Sequence, residues 1–304
     1  MRKKILITGA TGLVGKQLVT FLQMRGHEVS ILSTRQITIP GVKVFTWDVE
    51  KQTIAAGALN GIDTIIHLAG EGIAGKKWTA ERKRQIIDSR VNSAKLLYDT
   101  IKATDAQVKT FVSASAVGYY GDRGEEILAE DSEPGKGFLA DCCVQWEGAA
   151  DEGLALGIRV VKIRIGLILS KDGGALAAMA KPIKWFVGAP LGSGKQWMPW
   201  IHLDDIVRLF TKAVESKAMV GAYNAAAPFP VTNKLLTKRI AWHLNRPVWP
   251  VHVPKAALKL MLGEMSILPL MSSNTVVQKV LDTGYLFKYV DLDEALKDAL
   301  EVGG

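Results

Sequence analysis

Cysteine is almost missing from these 304 residues, and the two present are neighbours, Cys142 and Cys143. Adjacent residues pair only through a strained bond, so a disulfide framework is excluded and a reducing cytoplasm is the expected setting. Long apolar runs are missing too. The run 160–169 is interrupted by Lys162, Arg164 and Gly166, well short of the roughly 18–20 residues that a membrane span requires, so no membrane partner is expected. The basic start Met1-Arg2-Lys3-Lys4 is followed by only Ile5-Leu6-Ile7 before Thr8-Gly9, too short an apolar stretch for a secretory leader. Histidine is sparse and scattered, at positions 27, 67, 202, 243 and 252, without HExxH or CxxC spacing. No metal site is expected.

What is there begins with charge. The chain carries a formal +8, densest at Lys76, Lys77, Arg82, Lys83 and Arg84. No finger, basic zipper or aromatic RNA-binding signature accompanies the cluster, so nucleic acid is not expected. It reads as a solvated helix face that helps draw anionic small molecules toward the protein.

The order of elements points to an α/β fold. Short β-branched runs at 3–8, 29–33, 42–47, 64–68, 110–114 and 159–169 alternate with helical patterns at 17–25, 79–104 and 144–156. Strand alternating with helix implies a doubly wound parallel sheet of the Rossmann type, covered on both faces. After Leu169 the rhythm changes to a Gly-, Pro- and Trp-rich region over 171–200, a strand end and helix over 201–215, a last strand over 221–227, and short helices punctuated by prolines. The expected division is a nucleotide-binding domain over 1–170 and 201–228, and a smaller C-terminal α/β domain over 171–200 and 229–304.

Gly9, Gly12 and Gly15 stand in a GxxGxxG spacing between the first strand and the first helix. In that context the first glycine permits a tight turn, the second lets backbone approach a pyrophosphate, and the third lets helix and sheet pack closely. The amides of the helix start then face the phosphates. An NAD site usually places an acid at the end of the second strand. No acid occurs between Val29 and Val44, and the strand ends at Ser33-Thr34-Arg35. A guanidinium at Arg35, with the Thr34 hydroxyl, suits a 2′-phosphate instead, so NADP(H) is the expected cofactor.

Together with the glycine loop, Ile66-His67-Leu68-Ala69-Gly70, Ser113-Ala114-Ser115 and Tyr119-Tyr120-Gly121 resemble the extended short-chain dehydrogenase/reductases, the sugar-nucleotide epimerases and dehydratases. Ser89-Arg90-Val91, Phe138-Leu139-Ala140-Asp141, Trp146-Glu147, Gly192-Ser193-Gly194, Pro199-Trp200-Ile201-His202 and Arg246-Pro247 narrow this. They look like the epimerase-family proteins around the human atypical member SDR39U1, which carry a C-terminal domain of unknown function. The resemblance spans essentially the whole chain. It implies that Gly9, Thr11, Gly12, Leu13 and Val14 hold the pyrophosphate, Leu68, Ala69 and Gly70 the ribose, and Arg90 the cofactor side of the cleft. Asp48 matches the position that caps adenine, and the turn Gly166-Leu167 the one that meets the nicotinamide amide. His67 is either part of this cleft or a strand residue satisfied by backbone.

Catalysis in that superfamily uses a YxxxK helix after the serine strand. Aligned on Trp146-Glu147, this chain has Leu139 and Cys143 at the two positions. Tyr98 has Lys102 four residues on, but the pair precedes Ser115 and reads as a surface pair on a helix whose sheet-facing stripe is Val91, Ala94, Leu97 and Ile101. Ser115, four residues before Tyr119, is the expected donor to a substrate oxygen. Tyr119 or Tyr120 is a candidate proton donor; with a phenol pKa near ~10, the anion costs roughly 4 kcal/mol at pH 7, which favours an acid over a base. Glu71 and Asp141 are the carboxylates expected at the cleft. Cys143 has no histidine near it in sequence and reads as a small buried residue. The segment 185–200, with three tryptophans and Lys195, either stacks on a sugar or base or forms a hinge. Asp204 or Asp205 is expected to cap the helix that follows. Two functions are open: an NADP(H)-dependent oxidoreductase or epimerase acting on a small polar, nucleotide-linked substrate, and a non-catalytic NADP(H)-binding sensor.

Overall fold

The structure, a computed structural model, describes residues 2–300. Eight strands, β1 (Lys4–Thr8), β2 (Glu28–Ser33), β3 (Lys43–Asp48), β4 (Thr53–Ile54), β5 (Thr64–His67), β6 (Thr110–Ala116), β7 (Arg159–Ile165) and β8 (Gly221–Ala225), form one sheet. Its order is β8-β7-β6-β5-β1-β2-β3-β4. Every neighbouring pair is parallel except β3 with β4. The chain winds outward from β1 to β3 and returns to β5 on the other side of β1, so a crevice opens at the carboxyl ends of β1 and β5.

The larger helices are α1 (Leu13–Met24), α2 (Ala80–Thr104), α3 (Phe138–Asp151), α4 (Gly174–Lys184), α5 (Leu203–Glu215) and α6 (Asn233–His243). Side chains alternate across a strand. Ile5, Ile7, Val29 and Ile31 therefore pack on Leu18 and Leu22 of α1 and Ile206 and Phe210 of α5. Leu6, Leu32, Ile65 and Phe111 face the opposite way, onto Ala94 and Leu97 of α2 and Ala150 of α3. A smaller C-terminal unit beside the sheet has its own core, in which Leu176 and Ile183 of α4, Trp200, Leu236 and Ile240 of α6, and Leu296 of the final helix Leu292–Leu300 meet.

The sequence-based reading needs five corrections. The run 159–169 is two strands, broken at Gly166, where a Cβ would lie 2.4 Å from the carbonyl oxygen of Pro199; the second piece, Leu167–Leu169, pairs with Trp200–His202. The region 171–200 contains α4, whose pattern is hidden between Gly173 and Pro182. Helix α3 starts at Phe138, not 144. Tyr98 is buried, 1% exposed, with its hydroxyl donating to the Ala150 carbonyl at 2.6 Å; α2 is covered by α3 as well as by the sheet, which a single apolar stripe does not reveal. The cap of α5 is His202, whose Nδ1 accepts from the Asp204 amide. Asp205 is fully buried and accepts the amides of Lys288 and Tyr289, tying α5 to the C-terminal segment.

Candidate active site

The glycine loop is built by close approach. Gly9 has φ +69°, and a Cβ there would sit 2.7 Å from the Leu68 carbonyl carbon and oxygen. A Cβ on Gly15 would sit 2.3 Å from the Gly9 oxygen. Any larger residue would separate β1 from β5 or lift α1 off the turn. Helix α1 begins at Gly12 without a side-chain cap and without an acid in its first turn. Its first amides therefore lack intrahelical acceptors and present partial positive charge to the crevice.

A cleft of about 720 Å³ lies beyond the ends of β2, β3 and β5, lined by Thr34, Asp48, Ala69, Gly70, Glu71 and Ser89 among others. The Thr8 hydroxyl accepts the amides of Leu68 and Ala69 at 3.2 and 3.1 Å and fixes that turn. Asp48 lines the cleft but already accepts the Glu50 and Lys51 amides, and the Lys51 amide, with the Lys51 charge, holds its carboxyl below the usual range. Arg35 is exposed just beyond β2, its carbonyl accepting the Ser33 hydroxyl. Arg90 is 8% exposed under Gly70, donates Nη1 to the carbonyls of Glu71 and Ile86, and lies 4.7 Å from the Trp146 ring centroid. Two of its neighbours carry buried polar atoms without a partner among the described residues, Nδ1 of His67 and Nε1 of Trp146. His67 Nε2 is 2.7 Å from the Ser93 hydroxyl, so a side chain rather than backbone satisfies it. Burial, then the Arg90 charge, pushes its pKa down to about 3. Backbone close approach, free helix amides, a roomy cleft and orphaned polar atoms together fit a dinucleotide.

The other end of the site differs. Ser115 is buried and donates its one proton to Glu147 at 2.7 Å, so it is not a free donor to substrate as its spacing suggests. Glu147 also takes Nε and Nη2 of Arg164 at 2.8 and 2.9 Å. Arg164 donates Nη1 to the Tyr120 hydroxyl, which donates to Asn224 at 2.6 Å; burial pushes that phenol up to about 12. The Arg164 guanidinium stacks 3.5 Å from the Tyr119 ring centroid. Tyr119 is half-buried, and it is the phenol this network holds in place without engaging its hydroxyl.

The remaining candidates divide. Glu71 lies in the cleft, paired with Arg82 at 2.8 Å. Asp141 does not: it is exposed on the outer side of α3 with Val144 and Gln145, opposite Ala140, Cys143 and Glu147. Leu139 and Cys143, where the superfamily places tyrosine and lysine, stand 3.5 and 3.7 Å from the Cβ position of Gly118. Burial raises the Cys143 thiol to about 12, which removes it as a nucleophile. The amides of Gly166 and Leu167 are spent on the carbonyls of Ala225 and Pro199, so neither is free to donate to a ligand. The tryptophans of 185–200 do not form one face. Trp200 is fully buried and donates to the Phe229 carbonyl, Trp197 donates to Glu125, and Trp185 is exposed. Glu147 and Arg164 are the residues sequence reasoning missed. Their signal was a charge at an inward position of α3 and another inside a strand buried on both faces.

Residues 5–142 match the NAD dependent epimerase/dehydratase family, and residues 253–299 match a domain of unknown function, DUF1731. The epimerase family protein SDR39U1 homolog of Arabidopsis thaliana, chloroplastic, is 34% identical over 98% of this chain and 86% of its own. The epimerase family protein SAR0825 of Staphylococcus aureus is 34% identical over 98% and 99%. This chain belongs to the epimerase family. The crystal structure of the human epimerase family protein SDR39U1 (isoform 2), determined with NADPH, superimposes with a TM-score of 0.87 at 30% identity, over 98% of this chain and 100% of that one. That superposition covers both the sheet and the DUF1731 segment of this chain. No helix among the described residues of this epimerase-family chain is long and apolar enough to cross a membrane.

Proposed function

We propose that this epimerase-family protein binds NADP(H) in the cleft and acts as an oxidoreductase or epimerase on a small polar, nucleotide-linked substrate. The observation that carries the cofactor half is the approach of Gly9 to the Leu68 carbonyl beneath an uncapped α1, a cradle that a single Cβ would fill. Gly9, Thr11, Gly12, Leu13, Val14 and Gly15 hold the pyrophosphate, Leu68 to Gly70 the ribose, and Thr34 and Arg35 the 2′-phosphate. NADPH in the human relative's crystal is in keeping with this. The bound nicotinamide supplies or accepts hydride. Tyr119 donates a proton to the substrate oxygen, its ring fixed by Arg164; Glu71 is the second acid–base group, and Ser115 acts through Glu147 by keeping that platform rigid. Two buried free thiols suit a reducing compartment such as the cytoplasm.

Calorimetry tests the cofactor. NADPH should bind at least about tenfold tighter than NADH, since a charge-assisted hydrogen-bond pair contributes roughly 1.5–3 kcal/mol, and Arg35→Ala should remove the preference. Equal affinities in the parent protein would sink it. The sensor reading has one observation in its favour, the packing of Leu139 and Cys143 against Gly118 where the usual catalytic pair would stand. Oxidation of NADPH by nucleotide-linked ketones, slowed in Tyr119→Phe, decides for the enzyme. A cofactor-dependent change in protease sensitivity of the C-terminal unit, without turnover, decides for the sensor.

A further inference from the structure

A second concavity lies away from the cofactor cleft and shares no lining residue with it. Helix α4 carries Leu176 and Ala180 on its inner side, and with Ala299 and Leu300 of the final helix it lines a groove of about 510 Å³. Leu176, Ala180 and Ala299, buried at 1%, 2% and 2% exposure, close it from below, and Ala177, Leu300 and Trp185 present accessible apolar surface to it. Its rim is cationic and aromatic, made of Lys171, Lys181, Lys184 and Trp185.

None of the three lysines forms an ion pair among the described residues. Among the described residues the one acid at the rim is Asp172, which accepts from Gln17 at 3.5 Å. The negative end of the α4 dipole accounts for Lys181 and Lys184 in its last turn. It does not account for Lys171, which reaches the same groove from the loop before α4. Trp185 is held out by backbone: the next residue, Phe186, has φ +63°, the left-handed region where glycine usually ends a helix, and its carbonyl accepts the Trp249 indole at 2.8 Å. Trp185 is left 74% exposed at the rim.

We propose that this groove binds an amphiphilic anion, a ligand with a phosphate or carboxylate head and an alkyl or aromatic body. The three lysines take the head, and Ala177, Leu300 and the Trp185 ring take the body. The volume falls within the roughly 300–1,000 Å³ of small-molecule sites. The inference does not depend on the cofactor reading.

Titration calorimetry with octyl phosphate on the full chain tests it, with inorganic phosphate as the head alone and octanol as the body alone. One saturable site is expected, at least about tenfold tighter for octyl phosphate than for either part, a margin of about 1.4 kcal/mol. Joint Lys171→Gln, Lys181→Gln and Lys184→Gln should weaken it at least about tenfold. Ala177→Trp, which fills the groove and leaves the charges, should abolish it while the melting temperature stays unchanged. Octanol binding as tightly as octyl phosphate, or an unaffected Ala177→Trp, would overturn the proposal. So would binding to vesicles of phosphatidylcholine and phosphatidylglycerol without binding of soluble octyl phosphate, which would make the lysines a bilayer-facing patch.

Discussion

The two halves of the candidate site hold themselves together in opposite ways. Around Gly9–Gly15 and Leu68–Gly70 the structure is backbone against backbone, and it ends in helix amides and polar atoms that the protein leaves unused. Around Ser115, Glu147, Arg164, Tyr120 and Asn224 the structure is side chain against side chain, and nearly every donor meets an acceptor inside the protein. The first half is built to receive a ligand. The second holds its own groups rigid, with the Arg164 guanidinium against the Tyr119 ring.

Breaking the closed half should have the largest effect on folding. Glu147→Ala leaves Arg164 buried without its carboxylate, and removing one partner of a buried pair costs about 3–5 kcal/mol. Urea unfolding should show that loss. A change under about 1 kcal/mol would mean that water reaches Arg164 and the network is not closed.

Breaking the open half should separate binding from stability. Gly9→Ala forces a Cβ to within 2.7 Å of the Leu68 carbonyl at a left-handed φ, with an expected loss of about 1–3 kcal/mol in stability. NADPH affinity should fall by at least about tenfold, equivalent to 1.4 kcal/mol, while octyl phosphate still binds. If both ligands are lost together, the substitution has unfolded the chain and the contrast is not tested by it; Gly12→Ala, whose Cβ meets only the Gly9 oxygen at 3.3 Å, then provides the milder probe.

His67 ends β5 in the open half, and acid should find it. Its folded pKa is depressed to about 3 from an ordinary value of 6.5. Above pH 6.5 both states are neutral there and nothing is lost. As pH falls from 6.5 toward 3 the unfolded chain takes up a proton that the folded one refuses, so stability declines, with a limiting slope of about 1.4 kcal/mol per pH unit. Denaturation across that window should be less pH-dependent in His67→Asn. Identical slopes would show that the imidazole is hydrated in the native state.

The smallest effect belongs to a residue in neither half. Tyr98→Phe removes a buried hydroxyl that donates to the Ala150 carbonyl, worth about 1 kcal/mol by the usual net value of a hydrogen bond, and it should leave NADPH affinity alone. A loss of affinity would extend the site along α2.

The legible parts of the chain were those where local spacing dictates backbone. GxxGxxG between a strand and a helix placed the turn, and the absence of an acid after Val29 placed Thr34 and Arg35 at the end of β2. Buried β-branched runs marked most of the sheet. Less was legible where a residue's role depends on partners distant in sequence. Ser115 kept the spacing of a donor, yet Glu147, 32 residues on, takes its proton. Asp141 carried the right chemistry on the wrong side of α3, because the face a helix buries depends on what packs there. Tyr98 read as exposed because the apolar stripe of α2 describes one neighbour, and α2 has two.

The sequence by itself determined the alternation of strand and helix and the crevice at the first turn, since each follows from residue types a few positions apart. Tertiary structure alone decided which charged and polar groups remain free to act. Glu147, Arg164, Tyr120 and Asn224 come from a helix, two strands and a turn, and only the packing of those elements consumes their hydrogen bonds on one another. A buried polar group must find a partner wherever the fold supplies one. That requirement is set by three-dimensional neighbours, which no local spacing encodes.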